Sequence, residues 1–332
     1  MTNQLVTLSG KPKLLPASSH LTAADRWRHF LARIGYKRDA HRVMPGLYAI
    51  GNPSRESPVF VTANYTLSFD ALRSSLAGTD GYVLVLDTKG INVWCAAGKG
   101  TFGTDEIVLR ISQTRLQEVV SHRRLILPQL GAPGVAAHVV KKRTGFRVDY
   151  GPVRAADLPE YLKTHEATPE MRQVRFALGD RMILVPVEVT NYLLPMLIGA
   201  IILYFLGGWI SSLAAIACVL AGSALFPALL PWLPTPNFST KGFFLGGLVA
   251  VPFALAALFG HTDWPWWREA GQAAEFLLGM PAVTAFVALN FTGATTFTSR
   301  TGVRLEMFAY IPVMAATFAT GALLALVFAF VR

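Results

Sequence analysis

The second half of this chain carries almost no charge, and that limits what it can fold into. Residues 1–182 hold 25 Lys and Arg against 15 Asp and Glu, whereas residues 183–332 hold 5 and 5. Five apolar stretches occupy the second part, at 189–207, 210–230, 242–260, 273–291 and 307–331. Roughly 20 apolar residues suffice for a helix to cross the hydrocarbon of a bilayer. Inside that hydrocarbon the backbone must satisfy its own hydrogen bonds, which a helix does. The sequence therefore predicts a soluble part followed by an all-α transmembrane domain of five helices, with the change near Arg181. Gly207-Gly208-Trp209 leaves so short a connection that the first two spans form a hairpin.

Flanking charges give the orientation. Lys241, Arg300 and Arg304 lie on one side of the later spans, and Arg268 and Arg332 on the other. With the basic soluble part on the side of the first set, the chain is a multi-pass protein of the cytoplasmic membrane whose soluble part faces the cytoplasm. Trp264, Trp266 and Trp267 read as an aromatic belt at the far interface. Gly242, Gly246 and Gly247 predict close helix contact. Glu188, Glu275 and Glu306 fall at or near span ends, and no paired carboxylates or histidine series suggests an ion path. Met1 to His20 lacks the apolar core of a cleavable signal.

The soluble part is strongly basic. It shows neither interleaved stacking aromatics nor a nucleic-acid motif, so nucleic acid is set aside. Lys141-Lys142-Arg143 and Arg123-Arg124 suit an anionic membrane surface or an acidic partner, and equally a plain solvated surface. The chain's two cysteines, Cys95 and Cys218, fall one in each part. No disulfide between them is expected, and a reducing compartment follows. Two are also too few for a four-cysteine zinc site or an iron–sulfur cluster.

Residues 1–20 read as a lead-in. Trp27, Phe30, Leu31 and Ile34 have helical spacing, and Pro45-Gly46, Gly51 and Asn52-Pro53 punctuate a linker. Strands are predicted at Val59 to Thr62, Val83 to Asp87, Leu125 to Leu127 and Phe146 to Val148. Helical segments lie between and after them, at 69–76, 105–113, 114–121, 135–142 and 156–163. Such alternation predicts a parallel, Rossmann-like α/β domain with right-handed crossovers. Ligands bind such sheets beyond the carboxyl ends of the strands, where Asn64, Asp87, Gly90 and Gln129 fall.

One stretch on that face carries chemistry: Asn92-Val93-Trp94-Cys95-Ala96-Ala97-Gly98-Lys99-Gly100. Gly90 supplies a turn, and Asn92 is a good N-cap for a helix starting at Val93. Cys95 then falls in the first turn, where unpaired backbone N–H groups favour an anion such as a thiolate, the ligand and nucleophile form of cysteine. Ala96, Ala97 and Gly98 add little bulk, so a wide flat ligand could approach. Taken alone, a cysteine in an Ala/Gly helix is equally a small buried hydrophobe. Gly98-Lys99-Gly100-Thr101 lacks the upstream glycine of a phosphate loop. No zinc-protease, serine-hydrolase or kinase set occurs.

The nonapeptide resembles the cap-helix signature of the HgcA family, the corrinoid proteins of microbial mercury methylation. It is also similar to the corrinoid domain of the corrinoid iron–sulfur protein of the acetyl-CoA pathway. Val61-Thr62-Ala63-Asn64-Tyr65 and Leu127-Pro128-Gln129-Leu130-Gly131-Ala132-Pro133-Gly134-Val135 extend the likeness over roughly residues 45–165. The resemblance implies a cobalamin-type corrinoid cofactor, with Cys95 as the lower axial ligand of cobalt and the catalytic residue. Around it, Asn92, Val93, Trp94, Ala96, Ala97, Gly98 and Lys99 would form the cofactor site, and Lys99 could neutralise oxygens of the cofactor tail. Thr62, Asn64, Gly131 and Gly134 are further candidates at the strand ends.

The resemblance further implies a corrinoid-dependent methyltransferase that passes a methyl group to Hg(II). Its electron donor would be HgcB, a ferredoxin-like partner with two [4Fe–4S] clusters. A methyl carrier of acetyl-CoA-type one-carbon metabolism, or a non-enzymatic membrane corrinoid-binding protein, are the alternatives. The expected division is a lead-in with a short helix at 1–45, a corrinoid-binding domain at 46–180 and a transmembrane domain at 181–332.

Overall fold

A computed structural model describes residues 12–37, 40–260, 264–295 and 298–330. Much of the expected lead-in, Arg332 and part of the polar 292–299 loop lie outside the described residues. The chain separates into two compact units. One runs through Val174 without Arg33–Gly35; the other takes those three residues and Arg175 onward.

The first unit is a mixed α/β domain. In chain order it comprises β1 (Leu14–Ala17), α1 (Ala23–Arg33), β2 (Gly46–Ile50), β3 (Val59–Ala63), α2 (Thr66–Ser75) and β4 (Gly81–Leu86). There follow α3 (Val93–Lys99), α4 (Thr104–Thr114), α5 (Leu116–Val119), β5 (Arg124–Leu127), α6 (Ala137–Thr144), β6 (Arg147–Tyr150) and α7 (Leu158–Thr164). The six strands form one sheet in the order β1-β2-β4-β3-β5-β6. β3, β4, β5 and β6 run parallel, as the alternation requires. β2 pairs antiparallel to β4 and carries β1 beside it, so the sheet is mixed and not wholly parallel. These two strands replace the expected lead-in and linker. Their short runs acquire strand identity from pairing with distant partners, which local periodicity does not report.

β3 and β4 are buried along their whole length, as central strands with both faces covered should be. Alternate residues serve opposite faces. Val59, Val61, Ala63, Leu84 and Leu86 pack against Val93 of α3, Ile107 and Ile111 of α4, and Val140 of α6. Phe60, Val83 and Val85 pack against Phe69 and Leu72 of α2 and Leu158 of α7.

α1 forms where the helical spacing of Trp27, Phe30, Leu31 and Ile34 predicts a helix, but its most apolar side chains are not its buried ones. Trp27 and Phe30 are 61% and 51% exposed, whereas Asp25 and Ala32 are buried. The reason lies in α2, which offers charge. Arg73 bonds Asp25 at 2.9 Å and Asp70 at 2.5 Å, and His29 meets Asp70 at 2.7 Å. Burial pushes the Asp25 carboxyl up, but hydrogen bonds from the Thr22 backbone and hydroxyl and from Arg73 outweigh it and hold the pKa at about 2.

The second unit is helical. α8 (Leu178–Met182), α9 (Val185–Leu220) and α10 (Phe226–Leu229) lead to α11 (Phe238–Phe259), α12 (Trp266–Asn290) and α13 (Arg300–Phe330). Among the described residues four helical segments are long and apolar enough to cross a membrane, the first running Leu178–Leu229. That first segment is broken at Gly208, whose φ of 79° is left-handed. It folds back there: the Arg181 guanidinium donates to the carbonyls of Pro227 and Ala228, at 2.9 and 3.0 Å. Gly242 and Gly246 let α11 lie against α12, since a Cβ on either would come within 2.6 Å of Ala285 or Pro281 backbone. Gly247 faces open space and makes no such contact. Glu306 accepts the Ser239 N–H in the first turn of α11 at 2.5 Å, and Lys241 bonds the carbonyls of Leu230 and Leu233. Both charges thereby tie off helix ends.

Candidate cofactor face

Parallel strands β3, β4 and β5 end on one side of the sheet, and Asn64, Asp87 and Gln129 follow closely at those ends. Asn64 is buried, and its side chain organises the chain between β4 and α3. Its Oδ1 accepts the backbone N–H of Thr88 at 3.1 Å and of Gly90 at 2.9 Å, and lies 2.9 Å from the Thr88 hydroxyl. Its amide nitrogen donates to Asp87 at 3.2 Å. Gly90 has φ +73°, and a Cβ there would meet the Arg42 side chain at 2.6 Å, so any side chain at this turn is strained. Glu106 completes the loop by accepting the Asp87 N–H at 2.8 Å.

α3 follows from this turn. Asn92 is its N-cap, with Oδ1 accepting the Cys95 N–H at 2.9 Å. Gly100, at φ +82°, closes it with a left-handed C-cap. Val93, Ala96 and Ala97 are buried, at spacings that put them on one side of a helix. Cys95 is half-exposed, and Gly98 and Lys99, three and four residues on, share its outward side and are exposed. Trp94 is half-buried. The small residues therefore divide. Ala96 and Ala97 admit the helix to the core, while Gly98 leaves no side chain beside the sulfur.

The 3-10 turn Gln129–Gly134 packs against α3, and its glycines are fitted to that contact. A Cβ on Gly134 would lie 2.2 Å from the Phe102 carbonyl and 3.0 Å from Ala97 Cα; one on Gly131 would strike the Phe102 ring at 2.5 Å. Phe102 is fully buried beneath this contact. The sequence reading missed it, although an apolar residue just past a left-handed cap is a known companion of such helix ends. Thr88, also fully buried, was missed as well; as one threonine in a turn it gives no local signal. Thr62 lies within β3 and is buried.

The structure thus brings Asn64, Asn92, Cys95, Gly98, Gly131 and Gly134 to one end of the sheet. A soft, half-exposed sulfur with no side chain at Gly98 beside it suits a flat ligand whose metal accepts thiolate. Cys218, by contrast, is buried in the helical unit, its thiol donating to the Ala215 carbonyl at 3.2 Å. The described residues contain no cluster of three His, Cys, Asp or Glu that could hold a metal.

Residues 36–162 match the family described as CO dehydrogenase/acetyl-CoA synthase delta subunit. The α/β half is similar to corrinoid-related proteins of the acetyl-CoA pathway. The gamma subunit of the acetyl-CoA decarbonylase/synthase complex from Methanopyrus kandleri is 35% identical over 128 residues, covering 38% of this chain and 27% of that one. Its counterpart from Archaeoglobus fulgidus is 34% identical over 124 residues, 37% and 26% of the two chains. The corrinoid/iron-sulfur protein large subunit of Moorella thermoacetica is 27% identical over 161 residues, 46% and 36%. The matched stretch spans between a quarter and just over a third of those relatives' length.

Proposed function

We propose that the α/β half binds a corrinoid on its strand-end face and serves methyl transfer, with Cys95 as the protein's ligand to cobalt. A bound corrinoid supplies a methyl group held on cobalt for delivery to an acceptor. The observation that carries this reading is the half-exposed Cys95 thiol. It sits on an Asn92-capped turn at the carboxyl ends of parallel strands, inside the stretch that matches corrinoid-related proteins. Asn92 fixes the turn, Gly131 and Gly134 seat it, and Gly98 keeps the approach to sulfur open. The helical half holds this domain at a membrane as five spans, counting the two arms that meet at Gly208 as separate helices.

The relatives' names favour a methyl carrier of acetyl-CoA-type metabolism. A second reading, transfer to Hg(II), is favoured by Cys95 itself in the HgcA-like nonapeptide and by the apolar helices that follow. Under either reading two cysteines leave electron supply to a partner, and a ferredoxin-like protein such as HgcB fits the basic domain. X-ray absorption on protein loaded anaerobically with cobalamin tests the site: sulfur bound to cobalt is expected, and nitrogen or water without sulfur would overturn it. Single-turnover methyl loss from the loaded protein on adding Hg(II) separates the two acceptors.

A further inference from the structure

The outward face of α1 departs from ordinary amphipathic design. Its inner side is held by ion pairs to α2, and its outer side carries Trp27 and Phe30, stacked with ring centroids 5.3 Å apart. Arg26 lies one position before Trp27 and Arg33 one turn after Phe30; both are exposed and have no acidic partner among the described residues. Tyr36 and Lys37, also exposed, follow the helix end. Stacked aromatics flanked by arginines on a water-facing helix match the pattern of a helix lying in a membrane interface.

We propose that α1 is a membrane-surface helix, its Trp27–Phe30 pair inserted among the headgroups of an anionic bilayer and Arg26 and Arg33 paired with lipid phosphate. The chain leaving α1 supports this occupant. Arg33–Gly35 group with the helical unit, and a Cβ on Gly35 would meet Val187 at 3.2 Å. Val187 lies in the first turn of α9, within the first long apolar segment. The proposal rests on reading that segment as a membrane span. Paired charges on the inner side leave the aromatic side free for lipid, and the arginines add the electrostatic attraction that basic residues gain at anionic surfaces.

The test uses the full chain in nanodiscs of phosphatidylcholine and phosphatidylglycerol with brominated acyl chains. The Trp27 component is the difference in emission between wild type and Trp27→Phe, a change at an exposed site that leaves the unfolding midpoint in place. Expected is a blue-shifted Trp27 component quenched by the brominated lipid. That quenching weakens in the Arg26→Glu/Arg33→Glu variant, in pure phosphatidylcholine and at high salt. If the tryptophans of the helical half are quenched and Trp27 is not, α1 does not touch lipid and the proposal fails alone. A Trp27 shift seen only on adding an acidic ferredoxin-like protein assigns the face to a protein partner and also overturns it. If no tryptophan is quenched, the membrane reading of the helical half falls, and this proposal with it.

Discussion

The regions around the two cysteines put the same side chain to opposite uses. Cys95 sits in a seven-residue helix with a capped start, a buried inner side and an outer side on which Gly98 leaves space beside the sulfur, which is half-exposed. Cys218 lies in the second arm of α9 among Ala214, Ala250 and Ala254, its thiol bonded to a carbonyl one turn back. Both regions use glycine for close approach, but to different ends. Gly134 seats an irregular turn against a helix that must keep one side open. Gly242 and Gly246 close two long helices on each other. What a cysteine can do is set by which side of its helix the neighbours fill.

The largest effect that could break this contrast is chemical. Cys95→Ala is expected to remove cobalt–sulfur ligation and methyl transfer, while Cys218→Ala keeps both. A hydrophilic maleimide should modify Cys95 in the folded apoprotein and reach Cys218 only after unfolding, with labelled peptides as the readout. Equal labelling of both would erase the distinction.

Gly134→Val comes next. The new side chain has no room between the Phe102 carbonyl and Ala97, so about 3 kcal/mol of destabilisation is expected, read as a lowered unfolding midpoint together with lost corrinoid binding. Asp25→Asn should cost about 2 kcal/mol by loosening the Arg73 bonds. Its pH signature has a definite sign. The native carboxyl, held at about 2, lies below its unfolded value near 3.8, so the stabilisation is full above pH ~4 and fades as pH falls toward 2. Acid titration of wild type and Asp25→Asn should therefore converge at low pH.

Asn92→Ala gives the smallest change, about 1 kcal/mol. It should appear locally as faster hydrogen exchange at the Cys95 amide, with the core of β3 and β4 unchanged.

Much of this arrangement is legible in the sequence, and the exceptions share a cause. The start of α3, its Asn92 cap and the strand ahead of it follow from local chemistry: a Val/Leu run, a turn glycine and a capping side chain. The Gly208 turn is readable for the same reason. β1 and β2 are not, because Leu14–Ala17 and Gly46–Ile50 become strands only through partners 31 or more residues away. The buried face of α1 is not legible either, because helical spacing marks a stripe without saying what lies opposite, and α2 offers Asp70 and Arg73 to its other side. Ala96 and Ala97 look like clearance for a ligand, yet their burial shows them serving the core. Only Gly98 clears the outer side.

The break at Gly208 also bears on how such a chain is made. With a single left-handed residue at the bend and Arg181 latched to the carbonyls of Pro227 and Ala228, the two arms of α9 have no polar tether between them to thread through first. If the helical half spans a membrane as proposed, the two arms would partition into lipid together, as one wedge, and the ribosome would release roughly fifty residues before either arm is secure.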